Sequence, residues 1–388
     1  MDKRKILIVE DVCAVQNNGT TNAINRLIDG LKRKNYEVMV VSPQKTDKEN
    51  FYTLKPRNFY FLNKYVNKNG VVLARPNKKL LTELIKNVDI VHIELPFKVG
   101  KMAVKICKKN NVPVTAGFHC PAEAFTAHLG LKNFKVLNYL IYKRYYRQFY
   151  KKIKSVHCPT KFLADSLKKK GYKNNFTVAS NGVNGKFISF KKEKKNDFKD
   201  KFCVLYVGRL SAEKRHDLLI KAVRSSKYNK KIQLIFAGDG PLKKKLIKIS
   251  KGLANKPIIQ FFTEDELVDM YNMCDLYVHC SDIETEGIAC LEAISCNLVP
   301  LISDSTRSAT KELALTKDNL FKAGNSSSLK QKIEFFIENA QRLKYLKSLY
   351  KNFAEDFKID KCVDKMIQMF ESEIKNKKGE YERKSKVL

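Results

Sequence analysis

Short apolar strand-like runs alternate with helical patterns along most of this 388-residue chain, and that alternation constrains its fold more than any other feature. The runs are Lys5–Val9, Val38–Ser42, Val71–Ala74, Ile90–Ile93, Val112–Ala116, Ser155–Cys158 and Thr177–Ala179. Helical periodicity fills most of the gaps, as in Thr21–Lys34 and Lys101–Lys109. Such a series builds a parallel sheet with helices on both faces. Around Lys186–Lys201 the pattern stops, and Phe-Ile-Ser-Phe-Lys-Lys-Glu-Lys-Lys-Asn-Asp is charged and aperiodic. It restarts with Phe202–Val207, Ile232–Ala237, Ile258–Phe262, Leu276–Cys280 and Val299–Ser303. The expected fold is α/β, with two Rossmann-like doubly wound domains facing across a cleft. The domains are expected at 1–185 and 202–358, with a linker at 186–201. Residues 326–374 read as helical. Residues 359–388 are expected to pack back on the first domain as a C-terminal helix, with a charged tail frayed beyond Glu373. Open α/β sheets bind ligands beyond the carboxyl ends of their strands, so chemistry is sought in the loops that follow each strand.

The net charge of +35, from 75 Lys and Arg against 40 Asp and Glu, points to an anionic partner: nucleic acid, anionic lipid or a polyanionic substrate. Lys, Asn and Ile are abundant throughout, so part of the excess is compositional. The opening Met1–Glu10 has too short an apolar core for a signal peptide and reads as a first strand. No run approaches the ~20 apolar residues of a membrane-spanning helix. Ten cysteines are scattered without a Cys-x-x-Cys pair. Cys274, Cys280, Cys290 and Cys296 gather near His279, but their spacing fits no zinc module. This usage reads as a reduced, cytosolic protein.

Glu284-Thr-Glu-Gly-Ile-Ala-Cys-Leu-Glu292 follows a strand-like run and sets two carboxylates on either side of Gly287, which is expected to open a helix. Glu284 then lies in the loop and Glu292 in the second helical turn, where both can reach one ligand at a helix mouth that suits phosphate. The alternative is two solvated glutamates on an amphipathic helix. Val207-Gly-Arg-Leu-Ser-Ala-Glu-Lys-Arg-His216 also joins a strand to a helix. Gly208 permits a tight turn, Ser211 is an N-cap candidate, and Arg209 and Lys214 flank the junction where a diphosphate would be held. The alternative there is an ordinary basic turn. Ala237-Gly-Asp-Gly-Pro241 is a turn that borders a nucleotide base or is purely structural, with Gly238 at its start and Pro241 expected as the first helical residue. Asn17-Asn-Gly-Thr-Thr-Asn22 lies where a Rossmann-like fold presents a phosphate loop; it lacks Gly-x-Gly-x-x-Gly, but Gly19 can still bring backbone close to an anion or sugar. His119 follows the strand Val112–Ala116. His92 and Glu94 are weaker candidates at another strand end.

Leu131–Lys154 carries eight basic residues, seven aromatics and no acidic residue. Such a helix can lie on anionic lipid with Tyr at headgroup level, through Lys143, Arg144, Arg147, Lys151 and Lys152. It can equally track a phosphate backbone, or pack into a core with a basic outer side.

Together these segments resemble the family-4 retaining glycosyltransferases of the two-domain GT-B fold. The resemblance rests on Gly208-Arg-Leu-Ser-Ala-Glu-Lys214, Ala237-Gly-Asp-Gly-Pro-Leu242, Asn181-Gly-Val183 and the Glu284-x7-Glu292 element, four motifs in the family's order over most of the chain. It implies that Arg209 and Lys214 bind the donor diphosphate and stabilise the departing nucleotide. Glu292 would hold the ribose, Glu284 the donor sugar, and the Gly19 loop the diphosphate or acceptor. His119 resembles the active-site histidine. The implied substrate is a UDP- or GDP-sugar, with no metal or other cofactor required. Three positions depart from the pattern: Glu286 replaces an aromatic residue, Asn297 replaces a glycine, and the Gly19 loop has one glycine instead of two.

The expected function is hexose transfer to a membrane lipid or lipid-linked glycan, by a cytoplasmic enzyme held peripherally on the inner face of the cell membrane. Two alternatives stand beside it: the same chemistry on a soluble sugar, and a non-catalytic basic protein that binds membrane or nucleic acid on the same scaffold. No specific nucleic-acid partner is expected.

Overall fold

The computed structural model describes residues 3–14, 19–57, 71–127, 134–194 and 196–385. The chain divides into two compact units, Met1–Gly182 with Ile359–Leu388, and Val183–Lys358.

The first unit contains β1 (Lys5–Val9), β2 (Val12–Ala14), β3 (Glu37–Ser42), β4 (Phe51–Thr53), β5 (Val71–Leu73), β6 (Ile90–Ile93), β7 (Val114–Gly117), β8 (Ser155–Cys158) and β9 (Asn175–Val178). Seven of these form one sheet in the order β4-β3-β1-β6-β7-β8-β9, with every neighbouring pair parallel. β1 and β6 are buried over nearly their whole length, which explains unbroken apolar runs instead of alternation. Strand order reverses direction between β1 and β6, so a crevice is expected there. The run at Val71–Ala74 departs from the expected parallel series: β5 pairs antiparallel with β2 in a separate two-stranded sheet. β7 starts two residues later than expected because Pro113 has no N–H to give and Val112 N–H closes the preceding helix on Cys107 O.

The C-terminal helix, Ile359–Ser385, belongs to this unit. Val363, Met366, Met369 and Phe370 bury against Ile6, Ile8, Ile24 and Ile28. Gly30 makes room for it: a Cβ there would lie 2.4 Å from Val363 Cγ2. Arg33–Asp360 and Lys34–Asp364 pairs, at 3.0 and 2.7 Å, flank the contact. The helix does not fray at Glu373. Glu373 accepts a buried hydrogen bond from Ser155 Oγ at 2.6 Å, and the helix runs on to Ser385.

The second unit contains β10 (Phe202–Val207), β11 (Ile232–Ala237), β12 (Ile258–Gln260), β13 (Leu276–His279), β14 (Pro300–Ser303) and β15 (Leu320–Phe321), in the order β12-β11-β10-β13-β14-β15, all parallel. Its order reverses between β10 and β13. Residues 186–201 are not a free linker. Phe187 joins this unit's core, Phe190 N–H donates to Asn272 Oδ1 at 2.8 Å, and Lys192 and Lys194 pair with Asp269 and Asp275 at 2.9 and 2.6 Å. The charge that made the stretch look aperiodic thus matches Asp269 on the helix Glu264–Met273 and Asp275 just beyond it.

Candidate active site

The second unit's expected site residues come together at its strand-order reversal. β10 and β11 pair Val207 with Ala237, so Gly208 and Gly238 emerge side by side. A Cβ on Gly238 would sit 2.1 Å from Gly208 O, which only glycine avoids. Beyond Gly208, Leu210 anchors the loop in the core and a 3₁₀ turn, Ala212–Lys214, carries Lys214. Ser211 flanks that turn but does not cap it through its side chain: its Oγ–H donates to Glu213. Arg215 then turns left-handed, at φ 54°, into the helix His216–Arg224. Pro241 is not the first residue of the next helix, which begins at Lys243 after Leu242.

From β13 the chain passes through Asp282 and Glu284 to Gly287, which is left-handed at φ 86° and opens the helix Ile288–Ser295. A Cβ on Gly287 would lie 2.2 Å from Thr310 Cγ2. Asn297 takes the left-handed position after this helix at φ 58°, so asparagine serves there in place of glycine.

Lys214 Nζ donates to Glu284 Oε2, with both side chains mostly buried. Burial alone would raise the Glu284 carboxyl. Lys214, with His279 behind it, outweighs burial and holds the group well below the ordinary carboxylate range. His279 Nε2 lies 3.5 Å from Glu284 Oε2, and His279 Nδ1 lies 3.1 Å from the Tyr277 hydroxyl. Tyr206 O–H donates to the Lys214 carbonyl at 2.8 Å. Asp282 N–H donates to Glu213 O at 2.8 Å, and Arg215 Nη1 reaches Asp282 Oδ2 at 3.5 Å. These contacts lock the Lys214 loop to the Glu284 loop. Glu292 is only 7 % exposed, and the Tyr271 hydroxyl lies 3.3 Å from its Oε2. Two solvated glutamates are therefore not what this element presents. Glu286 is buried as well. Arg209 is exposed, with no ion-pair partner among the described residues.

In the first unit, His119 follows β7 and meets Glu94, which follows β6: Nε2 lies 2.9 Å from Glu94 Oε2. His92 and His157, on β6 and β8, complete a buried group around that carboxylate. His157 Nε2–H donates to Ala179 O at 2.7 Å, and burial pushes its imidazole down to about 3. His119, Glu94, His157, Ser180 and Asn181 line one pocket, closed on its apolar side by the first helix, Gly19–Arg33, and the C-terminal helix. Gly19 is the first residue of that first helix, while Asn17 and Asn18 lie outside the described residues.

The basic stretch forms the helix Lys135–Gln148 and a 3₁₀ turn, Tyr150–Lys152; residues 131–133 lie outside the described residues. Most of its aromatic residues face inward. Tyr142, Phe149 and Tyr150 are buried, and Tyr142 O–H donates to Glu123 Oε2 at 2.6 Å. The outer face is apolar at one end, with Val136, Tyr139 and Leu140 each more than half exposed. It is basic at the other, through exposed Lys143, Arg144, Arg147, Lys151 and Lys152.

Sequence reasoning missed His279, Tyr206 and Tyr277 and ranked Glu94 low. The available signal was a polar residue at the end of an apolar strand, two positions from a tyrosine on the same face. Among the described residues, no three His, Cys, Asp or Glu side chains gather to hold a metal, and no helix is long and apolar enough to cross a membrane.

Residues 17–186 match the family described as Glycosyltransferase Family 4, and residues 187–356 match Glycosyl transferases group 1. The chain belongs to the family-4 glycosyltransferases and has their GT-B fold of two parallel-sheet α/β domains. It is similar to the alpha-monoglucosyldiacylglycerol synthase of Acholeplasma laidlawii, at 27% identity over 309 residues, covering 74% of this chain and 76% of that protein. It is also similar to the sulfoquinovosyl transferase SQD2 of Arabidopsis thaliana, at 26% identity over 318 residues, covering 76% of this chain and 58% of that protein. Among solved structures, Anabaena HepE in complex with UDP and glucose superposes with a TM-score of 0.71 at 15% identity, covering 95% of this chain and all of that one. Sucrose-phosphate synthase from Thermosynechococcus elongatus superposes with a TM-score of 0.74 at 13% identity, over 95% and 99% of the two chains. At such identities the two structures speak for the fold alone.

Proposed function

We propose that this glycosyltransferase moves a hexose, with retention of anomeric configuration, from a UDP- or GDP-sugar to a membrane lipid or lipid-linked glycan. The observation that carries this reading is the constellation at the strand-order reversal of the second unit: Lys214 on Glu284, Glu292 in the adjoining helix, and exposed Arg209 on the same loop as Lys214. In this reading Arg209 and Lys214 hold the donor diphosphate, Glu292 the ribose hydroxyls, Glu284 the donor sugar, and His119 acts near the transferred sugar. Gly208, Gly238 and Gly287 let backbone approach the donor, and Gly19 opens the helix nearest the diphosphate or acceptor. Negative charge builds on the leaving diphosphate as the glycosyl centre gains oxocarbenium character. Two cations beside a helix N-terminus, Lys214 already held in place by Glu284, stabilise that charge. Retention follows if the leaving phosphate takes the acceptor proton on the face it departs from.

The outer face of the basic helix supports the lipid acceptor. Apolar Val136, Tyr139 and Leu140 beside a row of Lys and Arg suit an anionic bilayer surface, and in this reading the enzyme works peripherally on the inner face of the cell membrane. The Acholeplasma laidlawii relative is named as a synthase of a glucosyl diacylglycerol, in keeping with this acceptor. The stereochemical test is the anomeric linkage of the product made from an α-linked donor, read by NMR: an α linkage is expected, and a β linkage overturns retention. Flotation with anionic vesicles at low salt tests the membrane part; protein that stays at the bottom of the gradient overturns it.

A further inference from the structure

The buried group around Glu94 has an arrangement that goes beyond binding. Glu94 is 1 % exposed, and its two carboxylate oxygens face two different rings. Oε2 lies 2.9 Å from His119 Nε2, and Oε1 lies 3.7 Å from His92 Nε2. The other nitrogen of His92 meets the Thr115 hydroxyl at 2.8 Å. His157, whose ring centroid lies 5.5 Å from that of His119, gives its Nε2–H to Ala179 O and is neutral. Glu10 is the remaining titratable neighbour; its carboxyl is pushed up to about 7 by burial, so at neutral pH it is only partly ionised. Glu94 differs. Burial raises its carboxyl, but the surrounding imidazoles win and draw it to about 2, which leaves it charged.

An ionised carboxylate accepts hydrogen bonds and donates none. At 2.9 Å from Oε2, the His119 Nε2 must therefore carry hydrogen, since a bare lone pair there would face the charge; His92 Nε2, at 3.7 Å, lies beyond hydrogen-bond reach. We infer that Glu94 is a positioning residue for His119: it fixes the ring with Nε2 protonated and turned inward, so that Nδ1 is the nitrogen offered to a ligand in the pocket His119 lines. With Nε2–H held on the carboxylate, Nδ1 of that tautomer is a hydrogen-bond acceptor, and the group that suits it is a sugar hydroxyl. This is the logic by which a buried carboxylate orients a functional histidine. Gly117 is the third part of the device. A Cβ there would lie 2.5 Å from His119 Nε2 and 3.1 Å from Glu94 Oε2, so the ring and the carboxylate meet only above a glycine. Tyr150 O–H fixes the Gly117 carbonyl at 3.0 Å from behind.

The inference rests on the proposed role of His119 at the transferred sugar, and the experiment separates the two. Nitrogen-15 NMR of imidazole-labelled protein reads the tautomers directly, with His119→Gln and His92→Gln used to assign signals. In the unaltered protein His119 is expected as the Nε2–H form. Glu94→Gln keeps the shape but loses the charge, and its amide can turn either an acceptor or a donor toward His119, so Nε2 is no longer required to carry the hydrogen. A mixture of tautomers at His119 is the expected reading. The matching kinetic result is a fall in kcat on the order of 10²-fold with donor KM changed less than about threefold, the pattern of a sugar contact that strengthens in the transition state and not of lost uniform donor binding. Gly117→Ala, which alters neither group, is expected to give the same split by pushing the ring away from Glu94. Thermal melts of both variants distinguish this from unfolding. A bare Nε2 on His119 in the unaltered protein, unchanged tautomers in Glu94→Gln, or a kcat loss under threefold in a folded variant each overturns the inference. If no sugar donor is turned over at all, the reading of His119 at the sugar falls, while the tautomer measurement still decides what Glu94 does.

Discussion

Lys214 carries two duties at the scale of single residues. It compensates the buried Glu284 carboxylate and, in the proposed function, meets the departing diphosphate. Lys214→Ala is expected to lower kcat by on the order of 10²–10³. A fall under tenfold contradicts its role in stabilising the leaving group. Glu292, buried in the helix Ile288–Ser295 and touching Tyr271, is expected to act on binding: Glu292→Ala should raise donor KM about tenfold, and an unchanged KM contradicts the ribose contact. A third expectation concerns acid. His157 is buried neutral with its imidazole pushed down to about 3, well below the ordinary histidine value. The native state thus binds fewer protons than the unfolded state between the two values. Its contribution to stability is full above pH about 6.5 and drains away as pH falls toward 3, by up to about 1.4 kcal/mol per pH unit. Glu10 works with the opposite sign, since its raised carboxyl loses stability as pH climbs toward 7. The clean measurement is therefore a difference. His157→Gln, whose amide can still donate to Ala179 O, should show a flatter fall in melting temperature from pH 7 to 5 than the unaltered protein. Parallel curves contradict the assignment. Arg209, Lys214, Glu284 and Glu292 were legible as residues because they lie in spaced motifs at strand ends. His279 and Tyr206 were not, because their work is done from inside strands, where a ring reads as core until the fold shows what its polar atom reaches.

At the scale of elements, parallel strands were the easiest to read, since burial on both faces leaves compact apolar runs. Short or edge elements escaped: β2 and β15 carry too few residues to form a pattern, and β5 looked like one more parallel strand although it closes a small antiparallel ladder. The segment at 186–201 misled for a different reason. Its lysines are paired to acids some 70 to 80 residues away, a complementarity invisible to local periodicity. The helix Lys135–Gln148 was legible in charge but not in orientation. Its tyrosines turn mostly inward, and what remains outside is a strip of Val136, Tyr139 and Leu140 running into Lys143, Arg144 and Arg147. If that face meets lipid, reversing Lys143, Arg144 and Arg147 to Glu should reduce binding to anionic vesicles by well over tenfold, on the basis of about 1 kcal/mol for each basic residue near the surface. Activity on a water-soluble acceptor analogue should persist. Undiminished vesicle binding would move the membrane contact elsewhere on the chain.

At the scale of the whole molecule, two units of one architecture divide the work by their composition. The second unit supplies the cations and carboxylates that, in the proposed function, meet a nucleotide-diphosphate sugar. The first supplies a buried imidazole–carboxylate group, a pocket walled by the first and last helices, and a basic outer helix. The charge of +35 spreads over both and does not by itself name a partner. The chain's return at Ile359–Ser385 to the unit where it began was expected from the helical pattern, but its length was not, because residues beyond Glu373 carry little apolar periodicity and one polar contact, Ser155 to Glu373, marks where it still packs. The central claim is that sugar passes from a nucleotide donor to a lipid. The most direct measurement is nucleotide release and label transfer from a panel of UDP-, GDP- and ADP-hexoses, with and without vesicles containing diacylglycerol and anionic phospholipid. Release from a UDP- or GDP-sugar that rises with vesicles and leaves the label in extractable lipid is expected. Release that ignores lipid while labelling a soluble sugar, or no release from any donor, contradicts that claim.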